Sequence, residues 1–262
     1  MTSLPEIPVV YSFARSGGTL ANQLLGSHSQ CLVLSEVNPA ASYKSVTDQA
    51  LEWLGLVDES ELHHFSQQPY AWQIAELFKR AQAQGKRLIV RDWPTVNFLA
   101  GAAGSAYQPS GQLEQHLYLQ HAGLQPRPVV LTRKSAAVYA SIKKSFSHLG
   151  SLAVSSFADA YLGYARAVAG YPVIHLEDMQ ADPERTLGKI LEYFRLDKTQ
   201  IPTVIRAFPD FDRCTGNNTL VAPAESSHAR VILPAANKMN MNNPAEAMPD
   251  KLAEADRLLG YD

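Results

Sequence analysis

Five short apolar runs, followed by apolar residues at helical spacing, constrain the fold of this chain more than any other feature. They cover residues 7–13, 31–34, 87–90, 129–132 and 173–176. Strands that alternate with helices pair in parallel through right-handed crossovers, which place helices on both faces of the sheet. The runs therefore predict a three-layer α/β/α fold with a central parallel sheet of about five strands.

The length of the chain suits one such domain. At about 150 residues per domain, 262 residues allow a single decorated α/β domain. We predict one domain over residues 1–262, with two or three helices over residues 46–83. About residues 210–262 are rich in Asn and Pro and are expected to form a covering loop, followed by a short helix over residues 249–259.

The composition excludes several classes of protein. The net charge is −2 and charged residues make up 18%, so we expect no nucleic-acid partner. No signal-peptide pattern and no run of about 18 apolar residues occurs, which predicts a cytoplasmic protein without a membrane span. Cys31 and Cys214 have no metal-ligand spacing, so we expect reduced thiols.

Positive charge is concentrated in one part of the chain. Residues 115–158 contain no Asp or Glu, and they carry the basic side chains of Arg127, Arg133, Lys134, Lys143 and Lys144. The first 43 residues contain one basic side chain, Arg15. An anion site near the N-terminus must therefore combine Arg15 with backbone N–H groups, and a small, multiply charged anion would find further positive charge in the acid-free segment.

The first motif, Arg15-Ser16-Gly17-Gly18-Thr19, lies between the first predicted strand and a helix. Adjacent glycines let the backbone turn tightly and present consecutive N–H groups to an anion, and the helix N-terminus adds its positive dipole. The motif predicts a phosphate-binding loop. It lacks the GxxxxGK[ST] spacing of nucleoside triphosphatases, and a plain strand-to-helix turn is the alternative.

A second motif follows the fourth predicted strand. Arg133 lies at the end of that strand, and Ser141 falls about two turns into the following helix. An arginine fork and a hydroxyl can hold one phosphate from two sides. The alternatives are a surface charge for Arg133 and a packing role for Ser141.

Carboxylates follow the fifth predicted strand. Glu177 and Asp178 are expected to cap and charge the next helix rather than to act in catalysis. Asp182, as N-cap, and Pro183 begin a helix that we expect to continue to Arg195.

Together these segments resemble the family of sulfotransferases that use 3′-phosphoadenosine 5′-phosphosulfate. Residues 14–19 resemble its 5′-phosphosulfate loop, with Ala14 in place of the usual Pro and Gly18 in place of Thr or Ser. Arg133 followed by Ser141 resembles its 3′-phosphate motif. Residues 176–183 resemble the strand-helix segment that comes later, so the likeness covers residues 7–197, roughly three quarters of the chain.

The resemblance implies a P-loop-like fold and transfer of a sulfuryl group to a hydroxyl or amine of a small-molecule or carbohydrate acceptor, without a metal. The product of the donor would be adenosine 3′,5′-bisphosphate. Arg15 would neutralise charge on the leaving oxygen, and Arg133 with Ser141 would bind the 3′-phosphate. The 5′-phosphate would be held by the Thr19 hydroxyl and the backbone of Ser16, Gly17, Gly18, Thr19 and Leu20.

The acceptor hydroxyl must also lose its proton to a base. Many cytosolic members have Lys-x-His where this chain has Arg91-Asp92-Trp93, so no histidine occupies that position. Glu36, in a Glu-x-x-Pro arrangement similar to that of several carbohydrate-acting and bacterial members, is the first candidate. Asp92, at the exit of the third predicted strand, is the second, and an ion pair or a helix cap is the alternative role for each.

Two other functions are compatible with a phosphate loop. A small-molecule kinase would carry Lys in the Gly loop and a carboxylate for Mg²⁺, whereas here Arg15 precedes the glycines and no Lys follows them. A non-catalytic nucleotide-binding protein of the same fold would be expected to lack Arg15 or Arg133, and both are present.

The acceptor pocket is expected in residues 40–80, 95–125 and 145–157. Aromatic side chains in and beside these segments suit aromatic, sugar or lipid alcohols alike, although most of them are expected to belong to the core. They are Trp53, Phe65, Tyr70, Trp72, Trp93 and Tyr107.

Overall fold

A computed structural model describes residues 4–104, 107–216, 221–222, 231–232 and 250–261. The strands of the main sheet are β1 (Glu6–Ser12), β2 (Cys31–Val37), β3 (Arg87–Asp92), β4 (Gln125–Thr132) and β5 (Val173–His175). They lie in the order β2-β3-β1-β4-β5, and every pair is parallel. The predicted five-stranded parallel sheet is confirmed.

The helices fill the connections between strands as the spacing predicts. The first half of the chain contains α1 (Gly18–Gly26), α2 (Val46–Gln49, continued by a π-turn over Ala50–Leu54), α3 (Leu62–Ser66), α4 (Tyr70–Ala83), α5 (Thr95–Phe98) and α6 (Glu114–His121). The second half contains α7 (Ser135–Ser145), α8 (Val154–Val168), α9 (Leu176–Ala181), α10 (Pro183–Phe194), α11 (Ile201–Ala207) and α12 (Asp250–Leu258). Short strands β6 (Val221–Ala222) and β7 (Val231–Ile232) pair antiparallel.

Alternation along the strands produces two cores, one on each face of the sheet. In β1, Val9 and Tyr11 face the core that includes α4, α6, α8 and α12, whereas Val10 faces the core that includes α1, α9, α10 and α11. Both faces are therefore covered, as a parallel sheet requires. This confirms the three-layer α/β/α architecture.

Strand β4 begins earlier than the apolar run indicates. It pairs with β1 from Gln125 onward, although Pro126 and Pro128 cannot donate to a ladder. Gln125 donates to Pro5 on the β1 side and Val130 donates to Pro172 on the β5 side, so even-numbered residues point their nitrogens toward β5. Strand β5 pairs only from Val130, so the two prolines lie where no partner strand needs an N–H group.

The starts of α10 and α12 lie closer to their predicted positions than the start of β4 does. The Asp182 carboxylate accepts a hydrogen bond from the Arg185 N–H over 3.0 Å, and α10 begins at Pro183. The predicted C-terminal helix is also present as α12, whereas most of the predicted covering loop lies outside the described residues. Among the described helices, none is long and apolar enough to cross a membrane.

Candidate active site

The loop between β1 and α1 has the conformation that an anion cradle needs. Gly17 is the N-cap of α1 with φ of 92°, and Arg15 has φ of 70° although it carries a side chain. Ser16 donates its N–H to the Phe13 carbonyl over 3.1 Å, which closes the turn. Helix α1 then starts at Gly18 with its first N–H groups directed to the carboxyl edge of the sheet.

Arg91, at the end of β3, packs against this loop. A Cβ atom at Gly18 would lie 2.7 Å from Arg91 Nε and 2.8 Å from Ser12 Oγ, so a larger residue would displace the guanidinium from its present position. Arg91 Nε and Ser16 Oγ are buried without a hydrogen-bond partner among the described residues. Because buried polar groups are almost always paired, the orphaned Arg91 Nε beside the loop is a donor that a bound anion would satisfy, whereas Ser16 has no exposed surface.

Arg15 and Ser141 are brought together although they are far apart in sequence. Arg15 Nε donates to Ser141 Oγ over 2.9 Å, which joins the loop to helix α7. Arg133, the expected partner of Ser141, is 8% exposed and lines a cavity at the carboxyl edge of the sheet. Burial lowers the pKa of Arg133, and the nearby Glu177 raises it. Ser141 thus contacts Arg15, and it is not among the residues that line this cavity, whereas Arg133 is.

A cavity of about 470 Å³ lies at the carboxyl edge of the sheet. Such edges are where ligands bind in open parallel sheets. The basic side chains in its lining are Arg15, Arg91 and Arg133, and Glu36 is the acidic one. The cavity is therefore positively charged and suits a small polyanion.

A larger, open cavity of about 700 Å³ is lined in part by the segment that follows β2. Its lining includes Asp48, Glu59 and His63 but no residue of the phosphate loop and no arginine. The arginine-lined cavity is for this reason the better candidate for an anionic ligand.

Glu36 lies in a strained position at the rim of β2. The pairing of β2 with β3 shifts register between Leu34 and Val37, and Glu36 has φ of 50°. Its Oε1 atom accepts from Arg91 Nη2 over 2.5 Å, and 14% of its side chain is exposed. Two of the described non-glycine residues with positive φ, Arg15 and Glu36, thus line the cavity, which fits the tendency of functional sites to hold strained backbone.

Asp92 lies deeper than Glu36. It has no exposed surface and does not line the cavity, and its Oδ1 atom accepts from Asn38 Nδ2 over 2.8 Å. Asn38 Nδ2 also donates to Asn97 Oδ1 over 2.8 Å, so the carboxyl belongs to a buried amide network. Desolvation raises the pKa of Asp92 to about 8. The side chain is therefore mainly protonated at neutral pH.

Thr215, which follows α11, contacts both the start of α1 and strand β2. Thr19 Oγ1 donates to the Thr215 carbonyl over 3.3 Å, and Thr215 N–H donates to Ser35 Oγ over 3.0 Å. The resemblance to sulfotransferases also implies that Arg213 and Gly216 fall in a late loop that closes over the donor, and in the structure Arg213 donates to the Trp53 carbonyl over 3.2 Å. Asn217, Asn218 and Arg230, the other residues of that expected loop, lie outside the described residues.

The acids after β5 have partners in the C-terminal helix segment. Glu177 Oε2 accepts from the Tyr261 hydroxyl over 2.8 Å. Asp256 of α12 caps α7, because its carboxylate accepts from both the N–H and the hydroxyl of Ser135 at 2.9 Å. These contacts hold the segment that carries Arg133 against the C-terminal helix.

Aromatic side chains divide between the core and the cavity. Phe65 is buried in the core, whereas Trp93 lines the cavity together with Tyr43 and Phe146. Tyr43 and Phe146 fall in the segments 40–80 and 145–157 where the acceptor pocket is expected, but neither residue is named among the sequence-based predictions, and Arg91 has no predicted role. Arg91 was detectable as a basic residue at a strand exit, but nothing in the local pattern distinguishes Tyr43 or Phe146 from other surface aromatics.

Within the described part of the chain, the cysteines and acidic side chains form neither a disulfide nor a cluster that could bind a metal ion. Both cysteines are free, with Cys31 buried and Cys214 half-buried. No group of three or more His, Cys, Asp or Glu side chains is arranged to hold a metal ion there.

Comparison with known proteins gives likeness in structure alone. No protein-family model and no curated protein sequence matches the chain. The sulfotransferase domain of the Synechococcus PCC 7002 olefin synthase is 20% identical with a TM-score of 0.55, and the match covers 100% of this chain and 97% of that domain. The sulfotransferase domain of the curacin biosynthetic pathway is 15% identical with a TM-score of 0.54, covering 100% and 99%. With its parallel sheet and strand-loop-helix start, the chain therefore has the sulfotransferase fold.

Proposed function

We propose that the chain transfers a sulfuryl group from 3′-phosphoadenosine 5′-phosphosulfate to an acceptor hydroxyl. The observation that carries this proposal is the cavity at the carboxyl edge of the sheet, whose lining has three arginines, Arg15, Arg91 and Arg133, and one carboxylate, Glu36. A donor with a phosphosulfate at one end and a 3′-phosphate at the other needs this excess of fixed positive charge. The sulfotransferase fold supports the same assignment.

The residues of the loop fit the 5′ end of the donor. The first N–H groups of α1 would hold the 5′-phosphate, and the Thr19 hydroxyl would turn from the Thr215 carbonyl to donate to it. The unpartnered Arg91 Nε offers one more donor. Arg133 would bind the 3′-phosphate through its planar fork, and the Ser141 hydroxyl, which accepts from Arg15, would donate its own proton to the same phosphate. The donor, when bound, supplies an activated sulfuryl group and leaves as adenosine 3′,5′-bisphosphate.

The chemistry left to the protein is charge stabilisation and proton removal. Arg15 and Arg91 would stabilise the negative charge that develops as the sulfur–oxygen bond breaks, because fixed cations cost no reorganisation at that moment. Glu36 would accept the acceptor's hydroxyl proton as the new oxygen–sulfur bond forms. The ion pair with Arg91 orients the Glu36 carboxylate toward the cavity that it lines.

Glu36 is a better base than Asp92 on geometric grounds. A general base must lie within hydrogen-bond reach of the proton that it removes. Glu36 lines the cavity and is partly exposed, whereas Asp92 is fully buried in the amide network and does not line it. We therefore assign the base to Glu36 and a structural role to Asp92.

Calorimetry with nucleotides tests the donor class directly. We expect adenosine 3′,5′-bisphosphate to bind and ATP to bind at least about tenfold more weakly, because Arg133 and Ser141 have no 3′-phosphate to contact in ATP. Mass analysis of a panel of hydroxyl acceptors, incubated with the donor, would then reveal sulfuryl transfer. Absence of bisphosphate binding would overturn the proposal, and tighter binding of ATP with Mg²⁺ would favour a small-molecule kinase.

A further inference from the structure

Glu36 lies in a bulge of strand β2. Between Leu34 and Val37, β2 contributes one residue more to the pairing than β3 does, and such an extra residue bends a strand and redirects its side chains. Glu36 has φ of 50°, in the left-handed region that residues with a Cβ atom rarely adopt. A backbone conformation of this kind persists only where the surrounding structure holds it. The contacts on either side of Glu36 therefore decide where its carboxylate lies.

The Gln49 side chain holds the residue before Glu36. Its Oε1 atom accepts from the Ser35 N–H over 2.7 Å, and its Nε2 atom donates to the Ser35 carbonyl over 2.8 Å. Strand β2 is an edge strand of the five-stranded sheet, so this carboxamide bonds Ser35 as a further strand would. Nε2 also donates to the Lys44 carbonyl over 2.9 Å, and Gln49 has no exposed surface. Both amide hydrogens of Gln49 are thus used by backbone carbonyls.

The Asn38 side chain holds the segment after Glu36. Its Nδ2 atom donates to Asp92 Oδ1 and to Asn97 Oδ1, each over 2.8 Å. Its Oδ1 atom accepts from the Ala40 N–H over 3.0 Å, which turns the chain directly after the bulge. Asn38 is 2% exposed. This side chain therefore joins the segment after β2 to the end of β3 and to α5.

The two carboxamides hold the backbone of the bulge and leave the carboxylate of Glu36 to another partner. Neither Gln49 nor Asn38 lines the arginine-lined cavity, whereas Glu36 does. The carboxylate itself accepts from Arg91 Nη2. Different groups thus fix the backbone of Glu36 and the direction of its side chain.

We propose that Gln49 and Asn38 are positioning residues, which hold Glu36 in its left-handed conformation so that its carboxylate reaches the acceptor in the cavity. The role of Glu36 as base rests on the proposed function, whereas the hold on the bulge rests on the hydrogen bonds alone. A misplacement of about 1 Å can cost a reaction about 10²-fold in rate, so loss of either carboxamide is expected to lower kcat.

A double-mutant cycle separates positioning from general stability. With the acceptor found by mass analysis, Gln49→Ala is expected to lower kcat about ten- to a hundredfold and to keep the affinity for adenosine 3′,5′-bisphosphate within about threefold. In the Glu36→Gln background, the same replacement is expected to change kcat by less than about twofold, because the base that it positions is already absent. An equal loss of kcat in both backgrounds, or no loss in either, would overturn the proposal.

Gln73→Ala is the matched control. Gln73 is also a buried glutamine whose Nε2 atom donates to a backbone carbonyl, that of Gln68 over 2.8 Å, but it lies in α4 and is expected to keep kcat when replaced. Gln49→Met keeps the volume of the side chain and lacks the amide, so it decides the question if Gln49→Ala fails to fold. Asn38→Ala tests the other side of the bulge in the same cycle, with the same expected result.

Hydrogen–deuterium exchange gives a measurement that needs no acceptor. The amides of residues 35–38 are expected to exchange about tenfold faster in Gln49→Ala than in the unaltered protein or in Gln73→Ala, because the Ser35 N–H loses its acceptor. Unchanged exchange would overturn the hold on the bulge. Failure of the bisphosphate to bind would instead overturn the proposed function, and the exchange rates would still decide whether Gln49 holds the bulge.

Discussion

Arg91 and Glu36 form an ion pair in which Arg91 Nη2 lies 2.5 Å from Glu36 Oε1 at the rim of the arginine-lined cavity. The same guanidinium donates to Ser35 Oγ and packs against Gly18 of the phosphate loop. One side chain therefore connects the proposed donor site to the proposed base. This connection guides the first two predictions.

Replacing Glu36 by Gln is expected to lower kcat for sulfuryl transfer by about 10²- to 10⁴-fold, the usual contribution of a positioned general base. The glutamine oxygen can still accept from Arg91, so the affinity for adenosine 3′,5′-bisphosphate is expected to stay within about twofold. Steady-state kinetics and calorimetry measure the two quantities. Asp92→Asn is the matched control and is expected to keep its turnover; the reverse pattern would identify Asp92 as the base.

Gly18→Ala is expected to weaken bisphosphate binding by about tenfold or more, because the new Cβ atom would displace Arg91 and Ser12 from the loop. Gly188→Ala is the control, since a Cβ atom there meets only Ile201 at 3.5 Å. Calorimetric dissociation constants for both variants give the comparison. Equal affinities would show that the contact between Gly18 and Arg91 does not shape the donor site.

Arg133→Ala is expected to reduce the preference for adenosine 3′,5′-bisphosphate over adenosine 5′-monophosphate by about ten- to a hundredfold, the range of a hydrogen bond to a charged group. The affinity for the monophosphate itself is expected to change little. Lys143→Ala removes one exposed charge from the same basic segment and serves as the control. If both variants lost affinity for both nucleotides equally, general positive charge rather than a 3′-phosphate contact would be responsible.

The stability of the protein is expected to depend on pH through Asp92. Its pKa is raised from 3.8 to about 8 by burial, so between these values the folded protein keeps a proton that the unfolded chain releases. The free energy of unfolding therefore falls as pH rises from about 4 to 8, by at most about 1.4 kcal/mol per pH unit. The amide introduced by Asp92→Asn does not titrate, so the free energy of unfolding of this variant is expected to rise relative to that of the unaltered protein as pH increases over that range.

Urea denaturation of both proteins at pH 5 and pH 7.5 measures this difference. Parallel pH profiles would contradict the prediction, because they would mean that Asp92 ionises in the folded protein as it does in the unfolded chain.

Hydrophobic periodicity and helix-capping residues were sufficient to predict the strands of the sheet and the start of α10. The five apolar runs became the five strands of the sheet, and Asp182 with Pro183 began α10 as expected. The start of β4 could not be predicted from the sequence, because the strand can contain Pro126 and Pro128 only where β5 does not pair with it. Such a boundary depends on a partner strand that is distant in sequence.

The sequence alone determined which residues follow each strand, because hydrophobic alternation and helix signals are local properties of the chain. It therefore placed Arg15, Glu36, Asp92 and Arg133 at one edge of a parallel sheet. Only the tertiary structure decided which of them share a cavity: Glu36 lines it whereas Asp92 is buried behind it, and Arg91 joins the site through the space left by Gly18. Burial and close approach depend on the packing of segments that are distant in sequence, so no local pattern records them.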